Sequence, residues 1–144
     1  MSTYGYYRVA ACVPQVRVAD VDFNTSVLVS AAQKAAEQGA EVVVFPELCI
    51  TSASCADLFF QPRLQKAAVA ALLRFAADTA TLPLVSIVGL PLLVDDRLYN
   101  VAAVVQGSKV LGMVPKSVLP SKRSGYEYRH VDGRSHACKC KNAA

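Results

Sequence analysis

The order of hydrophobic periods along the chain is the feature that most constrains its fold. Short apolar runs at 8–13, 41–45 and 84–90 alternate with two longer stretches, ending near 38 and 80, whose apolar residues recur at helical spacing. Two strands joined by a helical crossover form a βαβ unit, in which parallel pairing is expected. The first 90 residues therefore predict a strand–helix–strand–helix–strand order.

The spacing of the apolar runs becomes shorter after residue 90. Apolar runs at 92–94, 98–105 and 109–114 are separated only by the turn residues of 95–96 and 106–108. Such short spacing predicts a meander of antiparallel hairpins. The whole pattern predicts an α/β fold with a mixed sheet, βαβαβ followed by antiparallel hairpins, and helices on at least one face.

Composition divides the chain into two parts. Its 144 residues are 53% hydrophobic and 18% charged, which suits one domain whose surface is partly covered by other protein. Nine basic and nine acidic residues balance over 1–120, so the net charge of +4 comes from 121–144. We interpret 1–120 as the domain and 121–144 as a divergent basic tail.

The tail at 121–144 could bind nucleic acid or zinc, and neither interpretation is favoured. Its basic residues form no compact run, so a solvated end is favoured over nucleic-acid binding. Cys138 and Cys140 could bind zinc with His130 and His136, but the Cys-x-Cys spacing is shorter than that of structural zinc sites. No metal site is predicted.

Targeting signals are not evident in the sequence. The five cysteines are odd in number, which favours a reduced chain over a disulfide scaffold. No signal peptide pattern precedes Arg8, and we find no apolar stretch of about 18 residues free of charge or proline. A cytoplasmic location without membrane contact is expected.

Two charged residues stand at strand ends. Glu47 lies near the end of the apolar segment VVVFPEL at 42–48, directly after a proline. Lys116 follows the apolar run at 109–114. A carboxylate at the end of a buried strand is costly to bury alone, so Glu47 is expected to have a partner, a raised pKa or a chemical role. A Glu and a Lys placed in this way are the start of a catalytic site, although no convincing nucleophile accompanies them.

Several motifs resemble those of the nitrilase (carbon–nitrogen hydrolase) superfamily. They are FPEL at 45–48 with Thr51 and Asp57, VGLP at 88–91, RLYNVA at 97–102 and GMVPKSVLP at 112–120. Their order and spacing look most like those of the amino-terminal glutaminase domains of glutamine-dependent NAD synthetases. The segment CADLFFQ at 55–61 resembles this subgroup more specifically. The resemblance runs from about 9 to about 130 and is weak beyond 120.

The resemblance implies a fold and a mechanism. The fold would be the first portion of the nitrilase-type α-β-β-α sandwich. Glu47 would be the general base, Lys116 would stabilise the tetrahedral intermediate, and Glu127, in YEYR at 126–129, would orient the lysine. Glutamine would be hydrolysed through a cysteine thioester, and the ammonia would amidate deamido-NAD. ATP and Mg²⁺ would serve the synthetase domain only, so no cofactor is expected in this chain.

The sequence also departs from the family. The nucleophile is expected several tens of residues after the lysine in a Glu-x-Cys-Glu-Asp motif, but only 28 residues (144 − 116) follow Lys116. Thr51-Ser52-Ala53 replaces the usual Thr-Gly-Tyr. We therefore expect a truncated or frame-shifted copy that is inactive alone and pairs with itself or with a full-length relative. A truncated amidase of another nitrilase branch and a non-catalytic interaction protein remain the alternatives.

Overall fold

A five-stranded mixed sheet forms the centre of the fold in the computed structural model, which describes residues 5–117. The strands are β1 (Val9–Ala11), β2 (Val42–Val44), β3 (Val85–Val94), β4 (Arg97–Gln106) and β5 (Lys109–Pro115), and they lie in that order across the sheet. β1, β2 and β3 pair in parallel, whereas β3, β4 and β5 pair antiparallel. The predicted α/β fold and mixed sheet are confirmed. Glu127, Cys138, Cys140 and the tail at 121–144 lie outside the described residues.

Helix α1 (Val21–Glu37) forms the first parallel crossover. The side chain of Asp20 caps its N-terminus by accepting a hydrogen bond from the Phe23 backbone N–H at 3.2 Å. After the helix ends, Gly39 takes a φ of +76°, a left-handed conformation that glycine adopts without strain. A glycine directly after the helical stretch predicts a helix C-terminus at this point, and the structure confirms it.

Helix α2 (Pro62–Asp78) forms the second crossover and packs against β3. Pro62 occupies the first turn, where its missing N–H has no intrahelical partner to lose. The sequence at 48–57 predicts a loop before this helix, but Ala53–Phe60 forms short 3-10 turns interrupted at Ser54 and Ala56. No helix within residues 5–117 is long and apolar enough to cross a membrane.

Strand β3 is longer than the sequence predicts, since no break separates 84–90 from 92–94. Pro91 lies inside the strand opposite Asn100 of β4. The Asn100 carbonyl accepts from the Lys116 N–H on the β5 side, so Pro91 and Asn100 are not a hydrogen-bonded pair of the β3–β4 ladder. Proline therefore removes no bond from that ladder and does not end the strand.

The two faces of the sheet differ in burial. One face carries Val43, Val88 and Ala103, which are fully buried together with Leu28 of α1 and Phe75 of α2. The opposite face is only half-buried at alternate positions. These are Val42, Val44, Val85, Ile87, Ala102 and Val104. The continuous apolar run at 84–90 predicts a strand buried on both faces, but this prediction is wrong within the described residues, because the helices cover one face only.

Candidate active site

Glu47 lies three residues after β2, in a backbone turn that the core holds in place. The Phe45 N–H donates to the Ile87 carbonyl at 3.0 Å, and the Ile50 N–H donates to the Gly89 carbonyl at 3.2 Å. Between these two bonds, Leu48 has a φ of +53°, a strained conformation for a residue with a branched side chain. The strain is sustained because the surrounding hydrogen bonds and the burial of Leu48 fix the turn.

Gly89 of β3 allows this turn to approach the sheet. A Cβ atom at Gly89 would lie 2.5 Å from the Leu48 nitrogen, 2.7 Å from the Pro46 oxygen and 2.9 Å from the Glu47 carbonyl carbon. All three neighbours are backbone atoms, which cannot move aside as a flexible side chain could. Glycine is therefore required at this position for the Glu47 turn to sit where it does.

The C-terminal end of the turn, at Ile50 and Thr51, is held by hydrogen bonds to α1 and to the residue before its cap. Asn24 is fully buried, and its Nδ2 donates to the carbonyls of Ile50 at 3.0 Å and Arg17 at 2.8 Å. Its Oδ1 accepts from the Arg17 N–H at 2.7 Å. The Ala19 N–H also donates to the Thr51 carbonyl at 2.9 Å. Buried amide groups satisfied in this way hold the turn against the helix start.

Lys116 reaches the same place from the other half of the sheet. It directly follows β5, and its backbone N–H donates to the Asn100 carbonyl at 2.8 Å. Its Nζ lies 2.9 Å from Glu47 Oε2, which is a salt bridge between residues 69 positions apart. The structure thus brings together two of the residues selected from sequence, Glu47 and Lys116; Glu127 lies outside the described residues.

The carboxylate of Glu47 is more exposed than the sequence suggested. Its side chain is 59% exposed, whereas that of Lys116 is 27% exposed. The expectation of a buried carboxylate is wrong, because β2 ends at Val44 and Glu47 lies in the exposed part of the turn that follows it. The expectation that the carboxylate has a partner holds.

A third residue of the site, Asn100 of β4, was not selected from sequence. It is 3% exposed, and its Nδ2 donates to Glu47 Oε2 at 3.1 Å. Two signals were available: Asn100 belongs to the RLYNVA motif at 97–102, and it is a polar amide inside the apolar run at 98–105, where a buried amide needs hydrogen-bond partners. Its partner was too distant in sequence to be identified.

An open cavity of about 290 Å³ lies beside this cluster. Glu47, Asn100 and Lys116 are on its wall, and the rest of the wall is mostly apolar. The apolar part includes Val44, Ile87, Ala102 and Val114, which belong to the half-buried face of the sheet. The cluster can therefore present a carboxylate and an ammonium group to a small molecule that carries a short apolar portion.

The cysteines near this turn are poor nucleophiles. Burial raises the pKa of the Cys49 thiol to about 11, although hydrogen bonding from the backbone opposes the shift. Burial also raises the pKa of Cys55, whose Sγ donates to the Thr51 carbonyl at 2.9 Å. Since the thiolate is the attacking form, a raised pKa disfavours both thiols as nucleophiles. Within residues 5–117, no group of three or more His, Cys, Asp or Glu side chains could hold a metal ion.

The arrangement was compared with known proteins. The family model described as carbon-nitrogen hydrolase matches residues 8–134. The chain belongs to the carbon-nitrogen hydrolase family. The expected family membership is confirmed, and the strand-end Glu47 and Lys116 lie within the matched region.

Individual relatives agree with the family assignment. The chain is 38% identical over 128 residues to a glutamine-dependent NAD(+) synthetase of Mycobacterium tuberculosis, covering 89% of this chain and 19% of the relative. It superposes with a TM-score of 0.82 and 25% identity on the crystal structure of a glutamine-dependent NAD(+) synthetase from Cytophaga hutchinsonii, covering 88% of this chain and 21% of that one.

A third comparison concerns the fold alone. An amidase from Nesterenkonia sp. superposes with a TM-score of 0.76 and 21% identity, covering 90% of this chain and 48% of the amidase. The mixed sheet with its helices therefore matches the structures of this hydrolase family. The chain spans about a fifth of the length of the synthetase relatives that it matches.

Proposed function

We propose that this chain carries the glutamate and lysine of a glutamine-hydrolysing site like that of the glutaminase portion of glutamine-dependent NAD synthetases. The observation that carries the proposal is the 2.9 Å contact between Glu47 Oε2 and Lys116 Nζ on the wall of the cavity. The identity to synthetases over 89% of the chain supports glutamine as the substrate. Glu127 would orient Lys116, a role that rests on the sequence motif alone.

The proposed chemistry assigns each group one task. Glu47 takes the proton of a cysteine thiol, and the thiolate attacks the side-chain amide carbon of glutamine. Lys116 stabilises the resulting oxyanion, an interaction worth about 3–4 kcal/mol when the donor is already aimed at that oxygen. When the C–N bond breaks, the proton passes from Glu47 to the departing ammonia. Water then hydrolyses the thioester to glutamate.

The 144-residue chain by itself is proposed to be inactive. Its sequence contains no Glu-x-Cys-Glu-Asp segment, and the buried Cys49 and Cys55 thiols resist ionisation. In a complete enzyme, the ammonia would amidate deamido-NAD with ATP and Mg²⁺, neither of which this chain is proposed to bind. A cytoplasmic location belongs to the same proposal and is supported by the free cysteines Cys12, Cys49 and Cys55.

The test combines binding with turnover. We expect L-glutamine to perturb the NMR signals of Asn100 and Lys116, with weaker perturbation in a Lys116→Met variant. Ammonia release from glutamine should equal that of a Glu47→Ala control. Absence of glutamine binding at the cavity would overturn the substrate assignment. Ammonia release above the control would overturn the inactivity.

A second candidate is the active-site portion of an amidase from another branch of the family. The apolar wall formed by Val44, Ile87 and Ala102 favours it, because an aliphatic amide needs no charged group beyond the reacting centre. The same NMR titration with a short aliphatic amide distinguishes the two. Perturbation by the aliphatic amide at lower concentration than by glutamine would favour the amidase.

Association is proposed as a third property, and it is compatible with a non-catalytic role. Val9 of β1 is 58% exposed and Val114 of β5 is 62% exposed, so both outer strands of the described sheet present apolar surface. We expect self-association, or pairing with a full-length relative. Size-exclusion chromatography with light scattering at several concentrations tests this, and a constant monomer mass without and with the relative would contradict it.

A further inference from the structure

Asn100 lies where the two halves of the site meet. Its side-chain Nδ2 donates to Glu47 Oε2 at 3.1 Å, while its backbone carbonyl accepts from the Lys116 N–H at 2.8 Å. One residue of β4 thus contacts the carboxylate through its side chain and the lysine through its main chain. At 3% exposure, it is the most buried of the three.

Within residues 5–117, two donors reach Glu47 Oε2, and they differ in kind. Lys116 Nζ is at the end of a long, flexible side chain, and an exposed ion pair of this sort fixes geometry weakly. The Asn100 amide is short, has no titration near neutral pH and is held within a buried stretch of strand. A hydrogen bond from such an amide to an ionised carboxylate is charge-assisted and directional.

We propose that Asn100 is a positioning residue that sets the separation between Glu47 and Lys116. It acts through these two side chains and needs no contact with the substrate. Its importance for catalysis rests on the proposed function, since a general base and an oxyanion donor act only when both are aimed at the same substrate carbon. Its effect on the geometry of the pair is independent of that function.

Zero-length cross-linking of the whole 144-residue chain measures this geometry. A carbodiimide activates the Glu47 carboxylate, and the Lys116 nitrogen displaces the urea to form an amide bond if the two groups are in contact. Both side chains are accessible to the reagent. The readout is the yield of the peptide joined between Glu47 and Lys116, measured by mass spectrometry at low conversion.

Two variants of Asn100 distinguish the effect of its N–H donor from the effect of its side-chain volume. Asn100→Asp keeps the shape and replaces the N–H donor with an acceptor, whereas Asn100→Leu keeps the size and removes polarity. We expect a several-fold lower cross-link yield in both. Val105→Ala is the matched control, because Val105 is on the same strand but on the helix-covered face, so it loosens the core without touching the pair. Its yield should equal that of the unmodified chain.

Yields unchanged in folded Asn100→Asp and Asn100→Leu variants would overturn the proposal, as would an equal loss in Val105→Ala. If neither Asn100 variant folds, hydrogen exchange of the Asn100 side-chain amide decides the matter. We expect this exchange to be several-fold faster in Glu47→Ala than in the unmodified chain, and equal rates would overturn the proposal. Because no substrate is used, a failure of glutamine binding would leave this result intact and would reject only the proposed function.

Discussion

The two strand ends that supply the candidate site are held in different ways. On the Glu47 side, the turn after β2 packs against Gly89, contains the strained Leu48 and is fastened to α1 by Asn24. On the Lys116 side, the lysine follows β5, an outer strand of the described sheet whose Val114 is 62% exposed.

The position of the Glu47 backbone is therefore determined by the folded core, whereas the position of the Lys116 side chain is determined by local contacts. The backbone that carries the proposed general base is part of the hydrophobic core, so its position is set when the core forms. Among the described residues, Lys116 is held by a backbone hydrogen bond to Asn100 and by the ion pair of its side chain with Glu47. Substitutions on the Glu47 side should therefore reduce stability strongly, whereas substitutions of the pair itself should affect stability little.

Gly89→Ala should have the largest effect. The added methyl group would lie 2.5 Å from the Leu48 nitrogen, so either β3 or the Glu47 turn must move. We expect a loss of about 3 kcal/mol or more in the free energy of unfolding, measured by urea denaturation. Gly112→Ala on β5 is the control, because a Cβ there meets nothing within 4 Å. Equal losses in the two variants would refute the contrast between the two sides.

Asn24→Ala should have the next largest effect. It leaves the Ile50 and Arg17 carbonyls and the Arg17 N–H without the amide that now bonds them. Buried groups left unsatisfied lead us to expect a loss of about 2–3 kcal/mol by urea denaturation. Ser26→Ala, an exposed site on the same helix, should change stability by less than about 0.5 kcal/mol. A comparably small change in Asn24→Ala would show that the helix does not hold the turn.

High pH should weaken the Glu47 side through Cys49. Burial raises the pKa of this thiol from 9.0 to about 11 in the folded chain, so the folded state holds the proton longer than the unfolded state. Its contribution is complete below pH 9.0 and is lost as pH rises to about 11, a loss on the order of 2 kcal/mol. We expect the stability of a Cys49→Ala variant to decline less over this range. Parallel stability curves for the two proteins would contradict a buried Cys49.

The smallest effect is expected for the pair itself. Lys116→Met removes a partly exposed ion pair, and such pairs contribute less than about 1 kcal/mol to stability. The urea midpoint should therefore change little, although glutamine binding at the cavity should weaken. A stability loss as large as that of Gly89→Ala would mean that both strand ends are equally part of the core.

Local patterns predicted much of the fold. Apolar runs and turn residues located the strands and both helices, and the strand-end positions of Glu47 and Lys116 selected the pair. The predicted break of β3 at Pro91 is wrong. Proline costs no hydrogen bond there, because the polar backbone groups of Asn100 face β5. This orientation follows from the register of β4 with its two neighbours. Register between distant strands is not visible in a local pattern.

The supports of the pair also depended on contacts between distant segments. Asn100 is 53 positions from Glu47, and Gly89 is 41 positions (89 − 48) from the Leu48 nitrogen that it approaches. Asn24 is a cap candidate by residue type and by its place near the start of α1, but its side chain donates to the Ile50 carbonyl 26 positions away. Charge and spacing identify groups that could react, whereas the residues that hold them in place become evident only when the chain is folded.

The most direct measurement is water exchange of the lysine ammonium protons, followed by NMR in the 144-residue chain. If Lys116 Nζ is held 2.9 Å from Glu47 Oε2, its protons should exchange several-fold more slowly than those of exposed Lys109, the first residue of β5. A Glu47→Gln variant should reduce this protection. Equal exchange of Lys116 and Lys109, unchanged in Glu47→Gln, would contradict the paired site.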